Sequence, residues 1–224
     1  MTDSIEEFHS LMAEGKCVIP IYTMENQNLD WPFCPYAITN PEEFDDSELL
    51  KIYQRVMKLP WTISETDRLL IRETTVRDVD DFYRIYSDSS ITEYMENLFE
   101  DPDEERCYTS KYIDTIYSFY NYGLWSIILR ETGEVIGRVG LTPKEPEYPE
   151  LGFLVDVKYQ NMGIAYEACE CVIRYTKENL DMNILQARVD PRNTKSINLL
   201  SKLGFKKTDN RSTDGLIVYI LNLY

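Results

Sequence analysis

From about residue 66 onward, the pattern of hydrophobic and polar positions switches regularly between a period of two and a period near 3.6. Arg68-Leu-Leu-Ile-Arg72 reads as a strand, and Thr74 or Thr75 precedes a helix over about 77–86. Pro102 and Asp103 open another helix, in which Tyr108, Tyr112, Ile113, Ile116 and Tyr120 recur at helical spacing. Such an aromatic stripe marks a core-facing side more often than a ligand site. Strands follow at 124–130 and 134–141, joined by the hairpin signal Glu131-Thr-Gly133. A proline-containing segment, 142–149, leads to a strand at 150–155. The helix predicted over 163–178 carries Ile164, Ala168, Cys171, Val172 and Tyr175 on one face. Strand 183–189, helix 194–203 and strand 216–222 close the alternation, and no internal repeat is present. The succession predicts a mixed α/β (α+β) domain over 66–224.

Residues 1–65 read as a small α/β appendage. Cys17-Val-Ile-Pro-Ile-Tyr22 has strand composition, with Pro20 favouring an edge, and a short extended piece follows at 36–38. Asp46 or Ser47 is placed to cap a helix through Lys58, with Leu49, Leu50, Tyr53, Val56 and Met57 along one side. Two strands and a helix bury little surface alone, so this region is expected to pack on the main domain.

The formal charge of −16 changes the picture. Residues 1–65 carry 12 acidic and 4 basic groups and residues 66–224 carry 27 and 19, so the excess is shared evenly. No basic stripe exists to track a phosphate backbone, which argues against nucleic acid as a partner. A negative field attracts cationic small molecules or Lys-rich tails, although solubility alone also explains it. The five cysteines form no Cys-x-x-Cys pair. Cys169 and Cys171, two apart on a helix, are expected to point to different faces. With His9 the single histidine, no metal site is expected. Reduced thiols, an acidic N-terminus and no long apolar run predict a cytoplasmic protein without a membrane span.

Candidate chemistry lies in Leu151-Gly-Phe-Leu-Val-Asp-Val-Lys-Tyr-Gln-Asn-Met-Gly-Ile-Ala-Tyr-Glu-Ala168. An apolar strand ends, a polar turn follows, and a segment centred on Gly163 opens a helix. That arrangement presents free backbone N–H groups at a helix N-terminus, which suits a pyrophosphate. Asn193-Thr-Lys-Ser196 and Lys202-Leu-Gly-Phe205 follow. Together these motifs resemble the GNAT superfamily of acyl-CoA-dependent N-acyltransferases. Its phosphate loop, Gln/Arg-x-x-Gly-x-Gly/Ala, is matched by Gln160, Gly163 and Ala165. Its second motif, Asn-x-x-Ser/Ala ending in Leu-Gly-Phe, is matched by Asn193, Ser196 and Leu203-Gly204-Phe205. The wording around 159–168 is most similar to the branch of ribosomal-protein N-terminal and spermidine acetyltransferases.

The resemblance implies a GNAT fold, with a central twisted mixed sheet, splayed strands and flanking helices. It implies acetyl-CoA as cosubstrate and a primary amine as acceptor, attacked directly in a ternary complex. Phe153 and Val155 would offer main-chain groups to pantetheine, and the amides of Met162, Gly163, Ile164 and Ala165 would hold the pyrophosphate, with Gln160, Tyr166 and Asn193 beside them. Glu150, at the start of the splayed strand, is the candidate base, and a solvated strand-end Glu is the plain alternative. Many relatives place a tyrosine seven residues after the motif's Asn, where this chain has Leu200. Ser196 is then the candidate donor to the leaving sulfur, or simply a helix brace. Tyr166, Glu167 and Tyr219 are further cleft candidates. The acceptor pocket would be built from 77–122 and 206–215, and relatives that pair through a sheet edge admit a homodimer. A non-catalytic acyl-CoA-binding protein is the competing reading.

Overall fold

Eight strands build one sheet among the described residues: β1 (Thr62–Glu65), β2 (Leu69–Glu73), β3 (Leu124–Leu129), β4 (Val135–Thr142), β5 (Glu150–Val155), β6 (Ile184–Val189), β7 (Lys206–Arg211) and β8 (Ile217–Asn222). Their order is β1-β2-β3-β4-β5-β6-β8-β7, antiparallel throughout except for β5 against β6. The computed structural model describes the chain apart from residues 33, 35, 145–147, 213 and 214 and the side chains of 210 and 211. It divides into two compact units, Met1–Trp61 and Thr62–Tyr224.

The central strands form because their β-branched and aromatic residues bury on both faces. Ile71, Trp125, Ile127, Val139 and Leu141 are all fully inaccessible. On one face α3 (Val79–Tyr86) presses Phe82, Ile85 and Tyr86 against Ile128, Val135 and Leu154. α6 (Ile164–Asn179) packs on β1, β4 and β5. Its predicted face is the buried one: Ile164, Ala168, Cys171, Val172 and Tyr175. Cys169, two positions from Cys171, is buried as well. The stripe that α6 covers is wide enough to take both, and burial pushes the Cys169 thiol well up.

Two strands escape the sequence pattern. β1 and β7 are the sheet's edges, and β7 reads Lys-Lys-Thr-Asp-Asn-Arg, a polar string with no apolar alternation. Charged edge strands of this kind discourage pairing with a foreign strand.

The aromatic helix also departs from its predicted period. α4 (Pro102–Tyr112) continues through a π turn, Ile113–Tyr117, into the short α5 (Ser118–Tyr120). The wider turn shifts the register, so that Tyr117, rather than Ile116 or Tyr120, is the fully buried residue. Its hydroxyl accepts from the Thr74 amide, 3.0 Å away, and donates to the Leu124 carbonyl. Beside it, Asp78 accepts from Arg72 Nη1 and Nη2 (2.7 and 2.8 Å), the Thr75 amide (2.9 Å) and Ser126 Oγ (2.7 Å). Burial alone pushes the Asp78 carboxyl up; the arginine and the other donors outweigh it and hold it below its ordinary value.

In the N-terminal unit, α1 (Ile5–Ala13) is capped by Ser4 and α2 (Asp46–Val56) by Asp45. Asp45, one residue before the predicted cap, forms a capping box with Glu48. The two predicted strands reduce to isolated bridges, Thr2 with Pro20 and Ile21 with Ile38. Pro20 lacks the N–H that a longer ladder through it would require. Arg55 is buried with its guanidinium 3.9 Å from the Trp61 ring centre, and Trp61 Nε1 donates to the Lys51 carbonyl at 3.0 Å.

Candidate active site

The site begins where a ladder stops. β5 pairs with β4 along the whole of β5, from Val155 opposite Gly137 to Glu150 opposite Thr142. Glycines let the backbones close in: a Cβ on Gly137 would meet the Leu154 carbonyl oxygen at 2.3 Å. On its other edge β5 pairs with β6 at a single position, Glu150 opposite Gln186, where the Gln186 amide donates to the Pro149 carbonyl at 3.0 Å. Beyond that apex β6 keeps its ladder with β8 out to Val189 opposite Ile217. β5 runs on without it among the described residues, and the two strands leave a V. Phe153, half-buried, and Val155, buried, lie on the open stretch of β5.

The V opens toward the loop between β5 and α6. Asp156 caps a short 3₁₀ turn, Val157–Tyr159, by accepting from the Lys158 amide at 3.0 Å. Asn161 (φ 61°) and Gly163 (φ 78°) then both take left-handed conformations, and α6 starts with no side chain capping it. The amides of its first turn are therefore free to meet an anion. A Cβ on Gly163 would find only Arg68 Nη2 nearby, at 3.7 Å. Glycine is thus needed for the backbone angle rather than for space.

Two arginines fix this loop. Arg84, on α3, binds Asp156 Oδ2 (2.6 Å), the Val135 carbonyl (2.6 Å) and Glu134 Oε1 (3.1 Å). Glu134 in turn accepts from the Tyr159 hydroxyl at 2.8 Å. Arg68, just before β2, donates from Nη1 to the Met162 carbonyl (3.0 Å) and from Nε to Glu167 Oε2 (2.8 Å). Thr66 Oγ1 donates to the other Glu167 oxygen at 2.6 Å.

Across the V, α7 (Thr194–Lys202) is capped by Asn193, whose Oδ1 accepts from the Ser196 amide at 3.1 Å. The Ser196 hydroxyl is not drawn into that cap. Leu200 is buried in the core. Gln160 spans the gap: its Nε2 donates to the Val155 carbonyl and its Oε1 accepts from Lys195 Nζ, each at 3.1 Å. At the apex, Glu150 Oε2 accepts from Arg188 Nε at 2.7 Å, with both side chains about one-fifth exposed.

Not every expected residue joins the V. Glu167 is taken up by Thr66 and Arg68. Tyr219 is buried in β8. Tyr166 turns to Glu170, which holds its hydroxyl above the ordinary value. It lines, with Arg174, Lys177 and Lys202, an open groove of about 410 Å³. Sequence reasoning missed Arg68, Arg84 and Arg188, none of which stands in a motif, and Lys195, a variable position of the Asn193–Ser196 motif. The charges at the ends of otherwise apolar strands, Arg68 and Arg188, were the available signal.

Comparison with known proteins bears on the same residues. The family model of the acetyltransferase (GNAT) domain matches residues 68–206. A Bacillus licheniformis protein described as the uncharacterized N-acetyltransferase p20 is 33% identical over 151 residues, 63% of this chain and 81% of that protein. The [ribosomal protein uS5]-alanine N-acetyltransferase of Escherichia coli (strain K12) is 26% identical over 151 residues, 63% of this chain and 77% of its own. Among solved structures, an acetyltransferase from Agrobacterium tumefaciens str. C58 matches with a TM-score of 0.60 at 25% identity, over 71% of this chain and 93% of that one. Ribosomal-protein-S5-alanine acetyltransferase from Vibrio fischeri shares the fold, with a TM-score of 0.61 at 16% identity over 73% and 96%.

Proposed function

This chain belongs to the acetyltransferase (GNAT) family, and we propose that its V-shaped cleft moves an acetyl group from acetyl-CoA to a peptide α-amine, with Glu150 as base. The observation that carries the reading is the single β5–β6 pairing, with Glu150 at its apex and the uncapped start of α6 at its mouth. Those features fit the cosubstrate: unpaired strand backbone for an extended chain, and free amides at a helix dipole for a pyrophosphate.

In this reading the amides of Met162, Gly163, Ile164 and Ala165 hold the pyrophosphate, flanked by Gln160. Backbone groups of Phe153 and Val155 orient the pantetheine. For Val155 this means that the carbonyl gives up its bond to Gln160. Asn193 serves as helix cap and cosubstrate contact together. Acetyl-CoA supplies an acetyl thioester activated toward attack. Ser196 Oγ is the candidate donor to the departing sulfur, since Leu200 has no O–H to give.

The amine must lose a proton. A lysine-like amine of pKa ~10.4 is neutral in roughly one molecule in 2,500 at pH 7, a cost of ~4–5 kcal/mol. A peptide α-amine with pKa near 8 costs ~1 kcal/mol. The ribosomal-protein alanine acetyltransferase among the relatives supports the α-amine. The charge of −16 favours a second reading, a cationic small amine such as a polyamine.

Titration calorimetry with acetyl-CoA, followed by thiol release against N-terminal peptides, spermidine, lysine and aminoglycosides, tests both readings. Release with peptides selects the first and release with spermidine the second. Binding without release from any amine refutes both.

A further inference from the structure

We infer that Thr66 and Arg68 are positioning residues for acetyl-CoA: through Met162 and Glu167 they hold the phosphate loop in its anion-binding shape before the cosubstrate arrives. The inference rests on the reading of that loop as the pyrophosphate site.

The argument begins with the peptide bond between Met162 and Gly163. In a planar trans peptide the C=O and N–H point in opposite directions. Arg68 Nη1 holds the Met162 carbonyl at 3.0 Å, and so fixes the Gly163 N–H on the far side from the guanidinium. That N–H leads the row of uncapped amides at the start of α6. The same guanidinium reaches Glu167, in the first turn of α6, through Nε at 2.8 Å and again through Nη2. Glu167 is also held by Thr66 Oγ1 at 2.6 Å.

Thr66 is itself rigid. Its Oγ1 accepts from the Leu69 amide at 2.9 Å, and its carbonyl accepts from Arg130 Nη1 at 2.6 Å. One turn of chain between β1 and β2 therefore grips both the loop and the helix that follows it, from about 100 residues away in sequence. Asn161 sits at positive φ, a conformation that a residue with a Cβ keeps only where its surroundings hold it. Arg68 touches no reacting atom; it acts through the loop.

The test compares two acetyl donors. Wild type, Arg68→Ala, Arg68→Lys, Thr66→Val and Glu167→Gln are assayed with acetyl-CoA and with S-acetylpantetheine, which lacks the pyrophosphate. Arg68→Ala should raise the KM and Kd for acetyl-CoA by tenfold or more, with kcat at saturation within threefold. Its kcat/KM for the truncated donor should stay within twofold. Arg68→Lys should recover only part, because one ammonium cannot meet Met162 and Glu167 in the fork geometry. In the Arg68→Ala background, Glu167→Gln should have no further effect on Kd. Equal losses with both donors would mean a merely structural role, and no loss would mean the clamp is idle; either overturns the inference. If Arg68→Ala does not fold, Thr66→Val and Arg68→Lys carry the same comparison. Should wild type itself show no preference for acetyl-CoA over the truncated donor, the phosphate-loop reading fails rather than the clamp.

Discussion

Replacing Glu150 by Gln probes the chemistry at the apex of the V with little disturbance to it. The carboxylate accepts from Arg188 Nε at 2.7 Å and is about one-fifth exposed. A Gln side chain offers the same acceptor geometry without the charge, so the expected cost to folding is about 1 kcal/mol, or roughly 2–4 °C in Tm. Acetyl-CoA affinity should be unchanged, because the loop amides lie at the other end of β5.

The expected loss of turnover depends on the acceptor. If Glu150 takes the proton, its absence leaves only the amine already neutral in solution. At pH 7 that is about one molecule in ten for an α-amine and about one in 2,500 for a lysine-like amine. The kcat of Glu150→Gln should therefore fall by roughly tenfold with a peptide N-terminus, and by up to roughly a thousandfold with a polyamine. The deficit should shrink about tenfold per pH unit and vanish near the pKa of the acceptor. Thiol release followed from pH 6.5 to 10, with calorimetry for the cosubstrate, gives both quantities. A variant with kcat within twofold of wild type at pH 7, or a profile parallel to it at every pH, would refute the role of base and leave Glu150 as the partner of Arg188.

Asp78→Asn should destabilise the fold by about 3 kcal/mol, since it leaves the Arg72 guanidinium facing a buried neutral amide, and Tm should fall by roughly 6–12 °C. Because the Asp78 carboxyl is held below its ordinary value, its contribution is complete above the normal carboxylate range near pH 4 and is lost as pH falls through the folded value. The gap between denaturant titrations of wild type and variant should therefore start to narrow as pH falls below about 4 and close only below the folded value of Asp78. Gly140→Ala should be more damaging, because its Cβ would lie 2.0 Å from the Gly123 carbonyl oxygen at a φ of 155°. Loss of folded protein on expression, or a Tm drop beyond 10 °C, is expected, with circular dichroism as the check. Gly163→Ala meets no such clash, and should cost only the ~1–2 kcal/mol of left-handed backbone, read as a modest Tm shift.

How much of this was legible depends on how far apart the interacting parts lie in sequence. α6 and α7 were readable almost to the residue, because the apolar face of α6, Gly163 at its start and the Asn193 cap of α7 are local signals. α2 was readable with its cap one position late, although Asp45 and Glu48 stand at capping-box spacing. The strand composition of residues 17–22 misled, because a proline in the run removed the donor that a ladder needed. β7 was invisible, since a charged edge strand and a loop have the same composition. The π turn displaced the buried tyrosine by a mechanism that no period of 3.6 contains.

The site itself is a different kind of case. Its defining element is an absence of pairing along β5, and a strand buried on both faces reads the same whether its second edge is laddered or empty. Hydrophobic pattern therefore locates β5 and is silent about the V. What made the candidate site legible was the loop beyond it, where the proposed cosubstrate contacts are backbone amides, and where glycine and an uncapped helix start leave a recognisable trace. The side chains that hold that backbone in place left none. Arg68 and Glu167 meet only because α6 packs on β1 and so lies beside the turn that leads from β1 to β2, and nothing in the local sequence of either residue announces the other. A backbone-borne candidate site can thus be read from a short window, whereas the side-chain contacts that hold it have to be read from the structure.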